Sequence, residues 1–144
     1  MLEWWEDYLW GIPMIIGCLG FHVSGLVGIE AIFQKYHHNQ IKSPSLLDYL
    51  IIISVASTTI LIMHVIESVA WAILYIKLSA FGDMKTSMLY SLNALTSYGH
   101  ENTQLHDQWR LLGAIESMNG VLIFGLTTAY LFSLMNEIRP SKKP

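Results

Sequence analysis

Ionisable side chains are rare in the apolar stretches of this chain, so the few that occur there mark where chemistry could happen. His64 and Glu67 stand one helical turn apart on a single face, His22 falls in the middle of an earlier stretch, and Glu116 lies inside a later one. A charged acid in hydrocarbon costs at least about 2.5 kcal/mol, so each of these groups must face protein or water. Three roles fit them. They could hydrogen-bond between helices and clamp a short helix from behind through Asn93 or Ser91. They could form a proton path or gate. They could hold a metal or haem. Glu-x-x-His is a di-metal signature when it repeats on paired helices, but here the order is His-x-x-Glu and it occurs once. His22 and His64 on adjacent helices could ligate a haem iron, although no cysteine attachment motif accompanies them. The reading adopted is the first, with His64, Glu67, Asn93 and Glu116 as polar support and no metal. His37 and His38 read as solvated loop residues.

No nucleophile–base pair and no phosphate-binding glycine loop is present, so no enzymatic chemistry is expected. The 144 residues are 53% hydrophobic and only 13% charged, where a soluble domain carries about a quarter charged residues. Most of the surface is therefore expected to face lipid. The net charge of −3 comes without a basic stripe, which gives no footing for nucleic acid, and no small-molecule substrate is evident. The single cysteine, Cys18, has no intrachain partner and reads as a small lipid- or helix-facing residue. The N-terminus has neither a basic leader region nor a cleavage site and is expected to be retained.

The positioning elements are three apolar tracts, about Trp10–Phe33, Leu46–Ile76 and Trp109–Met135. Each can span the roughly 30 Å hydrocarbon core as a helix. Trp4, Trp5, Tyr8 and Trp10 crowd the first entry as an interfacial belt. Gly20, Ser24 and Gly28 recur every four residues and predict a groove for a neighbouring helix. Gln34 to Ser45 reads as a loop. Between the second and third tracts, Thr86 to Thr96 (TSMLYSLNALT) predicts a helix of about three turns, too short to span. It leads into Ser97-Tyr98-Gly99-His100 and then a polar run. A short helix and a glycine turn between two spans is a pore-loop pattern, tolerated at membrane depth only where protein or a water-filled cavity surrounds it. Lys and Arg near the span ends number five on the side of the first loop and tail against three on the other. That bias puts the N-terminus outside and the C-terminus in the cytoplasm of a plasma (inner) membrane.

These residues resemble the potassium-channel-like, two-transmembrane ion channel family of bacteria. LYSLNALTSYG matches the family's pore helix and filter, WRLLGAIESMNGVLIFGLTTAYLF its inner helix, and HVIESVAWAILY its outer helix. The resemblance covers roughly residues 46–135. It implies an all-α membrane protein with three transmembrane helices plus a short re-entrant pore helix and filter loop, assembling as a homotetramer in the lipid bilayer. Residues 1–45 would be an added N-terminal transmembrane helix and cytoplasmic loop. Residues 46–144 would be the pore module, with outer helix 46–77, pore helix 86–96, filter 96–101, inner helix 109–136 and basic tail 137–144.

The family filter is Thr-Val-Gly-Tyr-Gly-Asp, whose alternating glycines let successive carbonyls point at a dehydrated ion. Here the run is Thr96-Ser97-Tyr98-Gly99-His100-Glu101, with one glycine. Aligning the threonines puts Tyr98 and His100 at the glycine positions. Aligning Tyr98-Gly99 with the family's Tyr-Gly puts Ser97 at the first of them, and this register is preferred. Either way the expected channel is weakly or atypically selective, with a monovalent cation, K+ or Na+, as permeant ion and no cofactor. Thr96, Ser97, Tyr98 and Gly99 would coordinate the ion, and His100, Glu101 and Asp107 would form the outer mouth. Outside acid is expected to reduce conduction as His100 charges near pH 6.5 or below. Gly125 is a candidate hinge in the inner helix. The alternatives are a non-conducting channel-derived scaffold and a small membrane metal or haem protein using His22, His64 and Glu67.

Overall fold

A computed structural model describes residues 4–40, 45–99 and 105–139, with side chains undescribed over 36–40. The expected mouth residues His100 and Glu101 and the side chains of His37 and His38 lie outside the described residues. The described chain is helical: α1 (Trp5–Gln40), α2 (Leu46–Lys77), α3 (Met84–Leu95), a 3-10 turn (Asp107–Trp109) and α4 (Arg110–Glu137). Three segments, Trp5–Lys35, Leu46–Lys77 and Asp107–Glu137, are long and apolar enough to cross a membrane.

The stretch after Phe33, expected to be a loop, continues α1 as far as Gln40. Gln34 to Gln40 contains no proline or glycine to stop a helix. Gln34 Nε2 also donates to Glu30 Oε1 one turn back at 2.8 Å. The next helix starts on a capping box, in which Ser45 Oγ accepts from Asp48 N and Asp48 Oδ2 accepts from Ser45 N at 3.0 Å. α3 starts on Asp83, whose Oδ1 accepts from Thr86 N at 2.9 Å.

Both α2 and α3 end in the same way. Past α2, Ser79 takes φ 54° while Ser79 N and Ala80 N donate back to Ile76 O and Tyr75 O. Past α3, Ser97 takes φ 54° while Ser97 N and Tyr98 N donate to Ala94 O and Asn93 O. These are Schellman turns with serine where glycine is usual.

The contacts fix how α3 lies. Tyr90 sits against Gly113, Ser91 bonds to Glu116, and the Leu95 backbone sits against Gly120. The numbers rise together, so α3 runs beside the first part of α4 in the same direction. Residues 79–82 ahead of α3 and 105–107 ahead of α4 line one crevice, so both helices set out from the same end. There Tyr75, Phe81 and Tyr90 meet as an aromatic trio with ring centroids 5.2–5.9 Å apart. Beneath them Trp71, Leu112, Ile115 and Ile123 continue the core. A second cluster of Phe33, Ala56, Leu134 and Ile138 closes the opposite end.

The close-approach glycines are not those of the expected groove. Gly20 and Gly28 are exposed, with no neighbour at the Cβ position. Gly11 meets Ile115 and Gly25 meets Met63. A Cβ at Gly120 would lie 2.7 Å from Leu95 Cα, which is backbone and cannot rotate away. Gly125 has open space around it. Gly120→Val should therefore lower stability by about 1–3 kcal/mol through overpacking, while Gly125→Ala stays near neutral. Thermal unfolding of the two variants in detergent checks this.

Candidate functional site

Two buried polar centres lie between the helices, and α4 contributes to both. The first surrounds Glu116, which is fully buried. Its Oε2 accepts from Tyr75 Oη of α2 and its Oε1 from Ser91 Oγ of α3, each at 2.5 Å. One carboxylate thus ties α2, α3 and α4 together, with one hydroxyl donor for each oxygen. Of the two partners expected for such a clamp, Ser91 is the one used. Asn93 instead offers its main-chain carbonyl to Tyr98 N in the turn after α3.

The second centre lies beyond the tip of α3, seven residues past Gly120 along α4, or about 10 Å at a helical rise of 1.5 Å. His22 Nδ1 and Glu67 Oε1 are hydrogen-bonded at 2.9 Å, and His22 Nε2 and Thr127 Oγ1 at 2.9 Å. His64 Nδ1 stands 3.3 Å from Glu67 Oε2, and His64 Nε2 stands 3.4 Å from Thr127 Oγ1. The four side chains close a ring drawn from α1, α2 and α4. His22 and Glu67 are buried, whereas the His64 side chain keeps 12% exposure. Phe124 stacks on the His64 ring, with centroids 4.4 Å apart.

The two imidazole centroids are 5.1 Å apart, and both rings reach the same threonine hydroxyl. In this arrangement the two rings leave no slot for a porphyrin between them. A small ion needs no such slot. Between the two centres Cys18, Ser68, Trp71 and Asn119 form a buried polar layer, with the thiol beside Trp71 and Asn119.

The sequence-predicted site residues thus separate into groups. His64 and Glu67 meet each other and His22, Glu116 belongs to the α3 clamp, and Thr96 to Gly99 are exposed at the α3 tip with Tyr98 84% open. Gly99 has φ 99°. Asp107 lies at the far end of the molecule, exposed, and pairs with Arg110 at 3.2 Å. Spacing along α4 carries a signal for Thr127, which shares a face with Glu116, Gly120 and Ile123. Asp7 had no such signal. It is buried on α1, and its Oδ1 accepts from Leu112 N at 2.8 Å. It caps α4 from another helix, in place of Trp109, which makes no side-chain cap bond.

Removing a buried acceptor while keeping its donors leaves each donor without a partner. Glu116→Ala should cost about 2–4 kcal/mol on that ground. Glu116→Gln should cost less, because the amide can accept one hydroxyl and donate to the other. Denaturant unfolding of both variants reads the difference. No protein-family model, curated protein or solved structure matches this chain.

Proposed function

We propose that the chain is one subunit of an oligomeric pore-loop cation channel, with Thr96 to Gly99 as its ion-facing segment. The observation that carries this reading is the position of α3. Its tip stops level with Gly120, ten residues along α4, which is about 15 Å from the end where both helices begin. In a bilayer core of roughly 30 Å that is mid-depth. The chain then returns to its starting end before α4 crosses. A helix that enters and stops half-way brings the carbonyl end of its dipole, roughly half a negative charge, to the membrane centre. A cation there is favoured.

One subunit supplies only one wall of such a site. Ser97 opens onto an apolar groove on α4 lined by Ala114, Ser117, Met118, Val121 and Leu122. This face is suited to a second copy, and the resemblance to potassium-channel-like proteins points to four. Positive φ at both Ser97 and Gly99, with Tyr98 between them, supports the register that sets these two at the family's glycine positions. The permeant ion on this reading is K+ or Na+, with weak discrimination. By the charge bias of the sequence, the N-terminus lies outside and the C-terminal tail in the cytoplasm.

One observation favours a second reading, a channel-derived scaffold that conducts nothing. The N–H groups of Ser97 and Tyr98 and the positive φ of Ser97 are already used in capping α3. That leaves a single glycine in the described part of the filter.

Ion flux into proteoliposomes separates the two readings. The channel reading predicts K+ and Na+ flux above empty liposomes with little preference between them. Gly99→Val should abolish it, because a β-branched residue does not tolerate φ near 99°. No flux of either ion, at neutral and at acid pH, from an assembled oligomer would establish the scaffold.

A further inference from the structure

We propose that His22, His64 and Glu67 form a binding site within the helix bundle for a divalent transition-metal ion of the zinc class. Each of the three offers one ligand atom, and these atoms lie within 4.8 Å of one another. Two imidazoles and a carboxylate are a donor set that Zn2+ accepts, with a fourth position left for a small ligand. Tetrahedral bonds of about 2.0–2.2 Å bring ligand atoms to roughly 3.3 Å apart. His22 Nδ1 stands 2.9 Å from Glu67 Oε1 and His64 Nδ1 3.3 Å from Glu67 Oε2, so each imidazole already meets one oxygen of the carboxylate, and the set closes in on an ion from a spread of up to 4.8 Å.

Two independent observations set this cluster apart from an ordinary hydrogen-bonded contact. First, Glu67 Oε2 is buried and meets His64 Nδ1 only at 3.3 Å, a looser contact than the 2.9 Å between Oε1 and His22 Nδ1. A buried carboxylate oxygen with free lone pairs is costly unless a cation or donor meets it. Second, the outer support of a metal site is already built. Metal-bound imidazoles are held by a hydrogen bond from the other ring nitrogen. Here both Nε2 atoms converge on Thr127 Oγ1, at 2.9 and 3.4 Å. With a cation on the Nδ1 side each ring carries its proton on Nε2, and one threonine oxygen has the two lone pairs to accept both.

The open side of the site is that of His64, its most exposed member, under the Phe124 ring. An ion held there would join α1 to α2 below the tip of α3. The inference stands apart from the channel reading, since it needs neither an oligomer nor a conducting pore.

The test uses tag-free full-length protein in detergent, stripped with a chelator, loaded with Zn2+ and passed through a desalting column. Elemental analysis should find one zinc per chain. Cobalt loading should give the visible absorption bands of a tetrahedral site. His64→Gln and Glu67→Gln should reduce both to background. Thr127→Val should weaken binding by about ten- to a hundredfold, with recovery in Thr127→Ser. Wild-type protein that retains no zinc would overturn the proposal. So would wild-type zinc content in folded His64→Gln or Glu67→Gln, which would place the ion on other histidines. Should those variants not fold, the absence of tetrahedral cobalt bands in the wild type is decisive against it.

Discussion

Glu116 is fully buried, and the two hydroxyls that satisfy it come from different helices, Tyr75 of α2 and Ser91 of α3. In a medium without water a carboxylate must find its partners inside the protein. The position of α3 therefore answers to a polar constraint as well as to apolar contact. Surrounding residues are fitted to the same demand. Gly113 and Gly120 have no side chains where Tyr90 and the Leu95 backbone must pass. Asp7 reaches across from α1 to cap the helix that carries Glu116. Moving α3 by one turn would unpair the carboxylate and drive the Leu95 backbone into a side chain in place of Gly120.

The same constraint explains why α3 can be short. A helix of 12 residues spans about 18 Å and needs partners for the backbone groups at its two ends. Its start is capped by Asp83, and its end is closed by the turn through Ser97 and Tyr98. Below that end the described bundle consists of α1, α2 and α4. There the ring of His22, Glu67, His64 and Thr127 joins them. One polar centre holds α3 in place, and the other holds together the helices that continue past it.

Much of this was legible in the sequence, for reasons that also set the boundary. Spanning segments are read from the length of apolar runs, and the short helix from TSMLYSLNALT lying between two of them. That buried His and Glu residues must pair was equally plain from their cost in hydrocarbon. Which residue pairs with which was not. His22 and Glu67 are 45 positions apart, and only the docking of α1 on α2 brings them together. Lipid is as apolar as a leucine core, so the buried face of a spanning helix leaves little imprint on its pattern. The evenly spaced Gly20, Ser24 and Gly28 accordingly face outward, while the irregularly placed Gly11 and Gly25 meet the neighbouring helices. The continuation of α1 to Gln40 was obscured by polarity, which marks where a segment leaves the apolar medium and not where its helix ends.

The proposed channel reading requires that Thr96 to Gly99 of several copies converge on one axis. It is tested most directly by spin-label distances in the assembled protein. Tyr98 is 84% exposed in the single chain, so a label on Tyr98→Cys, in a Cys18→Ala background, touches little of the packing within a subunit. Pulsed dipolar spectroscopy should return two short distances related as the side and diagonal of a square. An absence of dipolar coupling, or a single long distance that places position 98 on the lipid-facing rim, would contradict a shared axis.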